Sequence, residues 1–151
     1  MIENLNICPL SETSIPFVVQ LAALCLAGEK ITENTIKDAM SYPHNFIFVA
    51  KIQNEVVGFI DYSIVLDDAY LNNIAVSPLY RHKKIASALM DQMISDCVKN
   101  HAKSISLEAR KSNISAIGLY LNFGFIKVGL RHKIYSKPTE DGIVMKKTIC
   151  I

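Results

Sequence analysis

The chain has 151 residues, half of them apolar and a fifth charged, with a formal net charge of +2 and no tryptophan. That composition excludes a disordered or fibrous protein, and so mild a charge argues against a chain built around nucleic acid. The length suits one domain with a core of its own, burying roughly two thirds of the unfolded surface.

Cys8, Cys25, Cys97 and Cys150 lie far apart and form no C-x-x-C pair. Neither a zinc site nor a disulfide framework is indicated, and no metal is expected. Residues 15–28 are apolar-rich but contain Gln20, follow no basic segment and fall short of the ~20 residues a membrane span needs. The expectation is a cytoplasmic protein without a membrane partner, monomeric or homodimeric.

In chain order, Glu3 to Cys8 reads as a short strand ended by Pro9. Ser11 then offers an N-cap, and Phe17, Leu21, Leu24 and Cys25 recur at helical spacing, so residues 12–27 read as a helix closed by Gly28. A shorter helix follows, capped by Thr32, with Ile36, Ala39 and Met40 as its apolar stripe and Pro43 just past its end. From Asn45 the period becomes that of strands: Phe46 to Ala50, a turn at Gln53-Asn54, Val56 to Val65, a turn at Asp67-Asp68, and Ala69 to Val76.

The strand ending at Val76 hands over to a helix through Arg81-His82-Lys83-Lys84. A helix N-terminus carries unsatisfied N–H groups and partial positive charge, so cations there are repelled by a few tenths of a kcal/mol each. A phosphate or pyrophosphate seated on those N–H groups would resolve the conflict; a solvated basic turn is the alternative. Ile85, Leu89, Met93, Ile94, Cys97 and Val98 form the apolar side of the helix, and the strand Ser104 to Ala109 follows, which makes a βαβ crossover with two parallel strands.

Glu108 is an acid inside this strand pattern, flanked by Ile105 and Leu107, and needs an exposed face, a partner such as a lysine, or a chemical task. Ser112 or Asn113 caps a further helix, Ile114 to Leu121, stopped by Asn122 and Gly124. Tyr120 on that helix is either core or functional. Two strands, Phe125 to Leu130 and Gly142 to Ile149, close the chain around a polar loop with Pro138. The series predicts an α/β fold, a central mixed sheet with helices on both faces.

Three segments in register carry a resemblance across Leu71 to Phe125: Asn73-Ile74-Ala75-Val76-x-Pro78, Arg81-x-x-Lys84-x-Ala86, and Leu107-Glu108-x-Arg110-x-Ser112-Asn113-x-x-Ala116-x-x-Leu119-Tyr120-x-x-x-Gly124-Phe125. The chain resembles the GNAT-superfamily N-acetyltransferases and, more narrowly, the bacterial ribosomal-protein-alanine N-acetyltransferases. The resemblance implies acetyl-CoA as acetyl donor and a primary amine as acceptor, a protein N-terminus among the candidates. It implies that Ile74, Ala75 and Val76 hold the acetyl and pantetheine end in a splayed strand. The pyrophosphate would lie against Arg81, His82, Lys83, Lys84, Ile85, Ala86 and Ser87, with Asn113 on the pantetheine arm as well as, or instead of, capping its helix.

In such a reaction a neutral amine attacks a thioester through an oxyanion and expels a thiolate. An α-amine with pKa near 8 is mostly protonated at neutral pH, so a base is needed, and Glu108 is the candidate, directly or through water. Tyr120, a phenol of pKa near 10, is the candidate acid for the thiolate, and a strand N–H at Val76 or Ile74 would polarise the carbonyl. Lys84 stands where the family motif has glycine, and it either loosens the loop or, the favoured reading, offers its ammonium to the phosphates. The acceptor end departs too: Ala27-Gly28-Glu29-Lys30 replaces a tryptophan-containing segment. In the loop Arg131 to Asp141, Tyr135, Glu140 and Asp141 are candidates for an entrance suited to a cationic amine, with a solvated loop as the alternative reading of the two acids. Other readings are a polyamine or antibiotic acetyltransferase, a non-catalytic acetyl-CoA-binding module, and a phosphate-contacting nucleic-acid module, the last weakened by the absence of a second basic face.

Overall fold

The computed structural model describes residues 4–26 and 29–149. Glu3, Gly28 and Cys150, on which three of the expectations above fall, lie outside them. The elements are β1 (Leu5–Pro9), α1 (Ile15–Cys25), α2 (Glu33–Ser41), β2 (Asn45–Ile52), β3 (Glu55–Val65), β4 (Asp68–Val76), α3 (Ile85–Lys99), β5 (Ser104–Arg110), α4 (Ile114–Asn122), β6 (Ile126–Tyr135) and β7 (Glu140–Thr148). Short 3₁₀ turns precede α1 and α3.

All seven strands form one mixed sheet, ordered β1-β2-β3-β4-β5-β7-β6. Among the described strands the only parallel pair is β4 with β5, as the crossover through α3 requires. Their pairing is short: Asp68, Ala69 and Tyr70 face Ser104, Ile105 and Ser106, and no later pair forms. Beyond it β4 stays on β3 while β5 stays on β7, so the sheet opens into a cleft.

Each face of the sheet carries a core. Ile60, Tyr62 and Leu107 pack with Leu89, Met90 and Met93 of α3. Val49 and Phe59 pack on the other face with Val18, Leu21 and Ile36. α2 starts where expected, since Thr32 Oγ1 accepts the Thr35 N–H at 3.2 Å while Thr35 Oγ1 accepts the Thr32 N–H at 2.8 Å. In α1 the inward face is Ile15, Val18, Leu21 and Ala22, whereas Phe17 and Leu24 from the expected stripe are 55% and 68% exposed. In α3, Met90 is buried and Val98 points out.

The last hairpin differs most from expectation. Residues 131–135, read as loop, continue β6, which pairs with β7 at Arg131↔Gly142 and Tyr135↔Glu140. Gly142 makes this possible: a Cβ there would stand 2.7 Å from Ile134 Cγ2.

Cys97 lies fully buried on α3, and burial first, then the Asp96 charge, pushes its thiol up to about 11. An acid whose folded pKa is raised keeps its proton in the fold after the unfolded chain has lost it. Its stabilising contribution is complete below about pH 8.5, the unfolded thiol range, and is lost as pH rises through about 11. Urea midpoints measured from pH 8 upward are expected to fall faster in the wild type than in Cys97→Ala.

Candidate active site

Where β4 and β5 part, the cleft widens into a cavity of about 930 Å³ between the C-terminal half of β4, the N-termini of α3 and α4, and Glu108 on β5. Of the residues expected to hold a donor, Ile74, Ala75, Val76, Arg81, His82, Lys84, Ile85, Ala86, Ser87 and Asn113 line it, while Lys83 does not. Glu108, Tyr120 and Tyr135 line the same cavity.

The basic turn leaves the start of α3 uncapped by side chains. The first turn of α3 has no acidic residue, and its N-cap residue Lys84 makes no side-chain capping bond. The leading N–H groups of a 15-residue helix therefore open toward the cavity that Ile85, Ala86 and Ser87 line. Lys84 holds φ 62° and ψ 22°, the left-handed region that a glycine would enter without strain. Arg81 is engaged: its Nε donates to the Val76 carbonyl at 3.4 Å and its Nη2 reaches Cys25 Sγ at 3.8 Å. The Cys25 thiol also donates to that carbonyl, at 3.5 Å, which ties the end of α1 to the end of β4.

Asn113 caps α4 through Oδ1, which accepts the Ala116 N–H at 3.2 Å. That bond uses the amide oxygen and leaves the NH₂ for a ligand, so capping and ligand contact are compatible.

Glu108 sits in mid-β5 with its side chain 15% exposed, and its Oε1 accepts a hydrogen bond from Arg131 Nη1 at 2.7 Å. The partner is an arginine from β6, on the stretch read as loop. The bond and charge of Glu108 raise the Arg131 pKa further above its usual value, so the guanidinium stays charged. Tyr120 is buried against Phe125, ring centroids 5.9 Å apart. Burial, with the Tyr135 charge second, raises its phenol above the usual range. Tyr135 is pushed up to about 12 by burial first, then by the charges of Glu108, Tyr70 and Glu29. Both phenols are thus protonated, hydrogen-bond-donating groups at neutral pH.

Glu140 and Asp141 do not line the cavity. Glu140 pairs with Arg110 at 3.2 Å and accepts the Ser112 N–H at 2.6 Å, and these bonds, Ser112 first, pull its pKa down. Asp141 Oδ1 accepts the Lys133 N–H at 2.8 Å, lies 3.1 Å from His132 Nδ1, and is likewise lowered. Arg110 binds the carbonyls of Pro138 and Ser136 at 2.8 and 2.9 Å, with its guanidinium 4.6 Å from the Tyr135 ring centroid. These acids brace the hairpin that carries Tyr135.

The cavity's other acid is Glu29, between α1 and α2, and Asn72 and Asn73 of β4 also line it. None of the three was a candidate site residue from sequence, although Asn73 opens the first matching segment and Glu29 lies in the segment that departs from the family. The available signal was a pair of amides interrupting an otherwise apolar strand. Among the described residues no group of three His, Cys, Asp or Glu is placed to hold a metal ion, and no helix is long and apolar enough to cross a membrane.

The acetyltransferase (GNAT) family model matches residues 17–125. A Bacillus subtilis (strain 168) protein, provisionally assigned as a ribosomal-protein-bS18-alanine N-acetyltransferase, is 30% identical over 135 residues, 89% of each chain. The bS18-alanine N-acetyltransferase of Escherichia coli (strain K12) is 40% identical over 79 residues, about half of each chain at 52%. The crystal structure of the ribosomal-protein-S18-alanine N-acetyltransferase from Escherichia coli superposes with a TM-score of 0.88 at 28% identity, covering 97% of this chain and 95% of that one.

Proposed function

The chain belongs to the acetyltransferase (GNAT) family, and from that membership we propose that it acetylates the N-terminal α-amine of a protein, with Glu108 as general base and Tyr120 as general acid. It is an N-acetyltransferase, and acetyl-CoA is its acetyl donor. The observation that carries the residue roles is that Glu108 and Tyr120 line one cavity with the α3 N-terminus and Ile74 to Val76.

The residues fit the donor. Its pyrophosphate takes the first-turn N–H groups of α3 beside His82 and Lys84, and its pantetheine arm takes Asn113 and the β4 edge that has left β5. A strand N–H at Ile74 or Val76 polarises the thioester carbonyl, where it costs no reorganisation during reaction. Glu108, oriented by Arg131 through one oxygen, keeps its second oxygen for the amine proton, directly or through a water. Tyr120 gives its proton to the departing thiolate.

The acceptor reading draws on two things. The two relatives above carry names that specify the alanine of ribosomal protein bS18, and the wide cleft is lined by Glu29, Glu108 and Tyr135, a setting for an ammonium group at the tip of a chain. The test is release of free CoA from acetyl-CoA with peptides bearing the bS18 N-terminus, set against a panel of polyamines and aminoglycosides. Turnover of the panel without turnover of any peptide would sink the peptide reading.

Lys84 separates two effects. Lys84→Gly is expected to raise stability by about 1 kcal/mol, because glycine enters the left-handed region freely. If the ammonium contacts phosphate, the same variant binds CoA several-fold more weakly; calorimetric Kd values alongside thermal midpoints read both. Unchanged affinity would remove Lys84 from the phosphate site.

A further inference from the structure

Asp61 is the one charged side chain among the buried residues described, 8% exposed on β3, and the mechanism above does not use it. Burying a carboxylate is costly unless it is hydrogen-bonded, and a neutral side chain at this position would avoid the cost. Here the carboxylate collects amides. Its Oδ1 accepts Asn45 Nδ2 at 3.0 Å and Asn72 Nδ2 at 3.2 Å, and Asn73 is its partner on the neighbouring strand. Asn72 and Asn73 line the catalytic cavity; Asn45 lies behind them on β2.

The backbone explains why Asn72 needs holding. Asp61 pairs with Asn73 and Tyr62 pairs with Leu71, so Asn72 is the extra residue of a β-bulge on β4. Bulges of this kind re-aim a side chain beside a site. The amide inventory then fixes which end faces the cavity. Asn72 Nδ2 has two hydrogens, one directed to Asp61 Oδ1 and one to Asn45 Oδ1, both at 3.2 Å. With its donors spent on the sheet, Asn72 has only the acceptor Oδ1 to offer.

We propose that Asp61 is a positioning residue for the acceptor. By taking the NH₂ group of the bulged Asn72, it turns that residue's carbonyl oxygen toward the incoming amine, so that the site selects a hydrogen-bond-donating primary amine. The inference rests on the acceptor reading above and deepens it. Together with Glu29 and Glu108, the wall opposite the donor becomes one of hydrogen-bond acceptors, suited to an ammonium or amine and poorly suited to a hydroxyl-bearing acceptor with one donor.

The experiment uses the full chain, a short alanine-initiated peptide as acceptor and acetyl-CoA as donor. Asp61→Leu keeps the branched shape but accepts no hydrogen bond, which frees the Asn72 NH₂ from the sheet. It is expected to raise the acceptor KM about tenfold, a hydrogen-bond-sized effect, with a much smaller change in kcat and an unchanged calorimetric Kd for acetyl-CoA. Asn72→Ala is expected to raise the acceptor KM similarly, and the double variant to be no worse than Asn72→Ala alone, because Asp61 acts through Asn72. An unchanged acceptor KM in a folded Asp61→Leu protein overturns the inference, and so does loss of acetyl-CoA binding in step with KM, which marks a merely structural role. If Asp61→Leu does not fold, Asn72→Ala on the exposed bulge decides, and an unchanged acceptor KM there overturns it. The peptide reading fails separately, when the wild type acetylates small amines but no peptide; the same variant-to-wild-type KM ratios are then taken with the amine that turns over.

Discussion

Glu108→Gln is expected to lower kcat by about 10²- to 10⁴-fold, the usual weight of a positioned general base. Glutamine keeps the volume, and its Oε1 can still accept the bond from Arg131, so β5 and its pairing with β7 are undisturbed. Arg131 is 59% exposed and water replaces the lost charge partner, which holds the stability cost to the range of a surface ion pair, about 0–1 kcal/mol. Acetyl-CoA affinity should be unchanged, since the expected pyrophosphate seat lies at the start of α3. The pH dependence carries the sign. An α-amine with pKa near 8 gains its neutral form as pH rises, so the variant should recover part of its rate between about pH 7 and 9. A folded Glu108→Gln protein with wild-type kcat at pH 7 would leave Glu108 a structural partner of Arg131.

The candidate site was legible as one cavity lining because it is concentrated in three segments whose residues lie near one another in sequence: the Ile74–Val76 strand end, the Arg81–Ser87 turn, and Glu108 through Tyr120. The βαβ unit that joins them has one permitted hand, so recognising the elements fixes the crossover. What stayed hidden depended on distant pairing. α1 is apolar on nearly every side, so periodicity could not tell Val18 and Ala22 from Phe17 and Leu24; the sheet it lies on made the choice. Arg131 to Tyr135 looked like loop because it lacks apolar alternation, yet an edge strand exposed on both faces does not need it. Glu140 looked available for a cationic substrate until Arg110, 30 residues earlier, was found to hold it. Asp61, Asn72 and Asn73 gave only the weak signal of polar residues in strands. Their meaning comes from a bulge, a one-residue offset between neighbouring strands that composition does not encode.

Tyr120→Phe is expected to lower kcat by about 10²-fold or more while leaving the fold intact. The ring's packing against Phe125 survives the change, and loss of one hydroxyl costs no more than about 1 kcal/mol of stability. The direction of the Tyr120 pKa sets its protonation state. Burial, then the Tyr135 charge, raises it above the ordinary phenol range, so it is fully protonated wherever the enzyme works and can donate but not accept a proton. For the same reason the wild-type kcat should show no loss from Tyr120 ionisation up to about pH 10, where an ordinary phenol would have titrated. The leaving group offers the decisive measurement. If Tyr120 protonates the departing thiolate, its removal matters most when that thiolate is a poor leaving group. An acetyl thioester of a more acidic thiol, built on a shortened pantetheine, should therefore narrow the gap between wild type and Tyr120→Phe. An equal deficit with both donors would place the hydroxyl in binding rather than in proton transfer, and would leave the thiolate to depart without a protein acid.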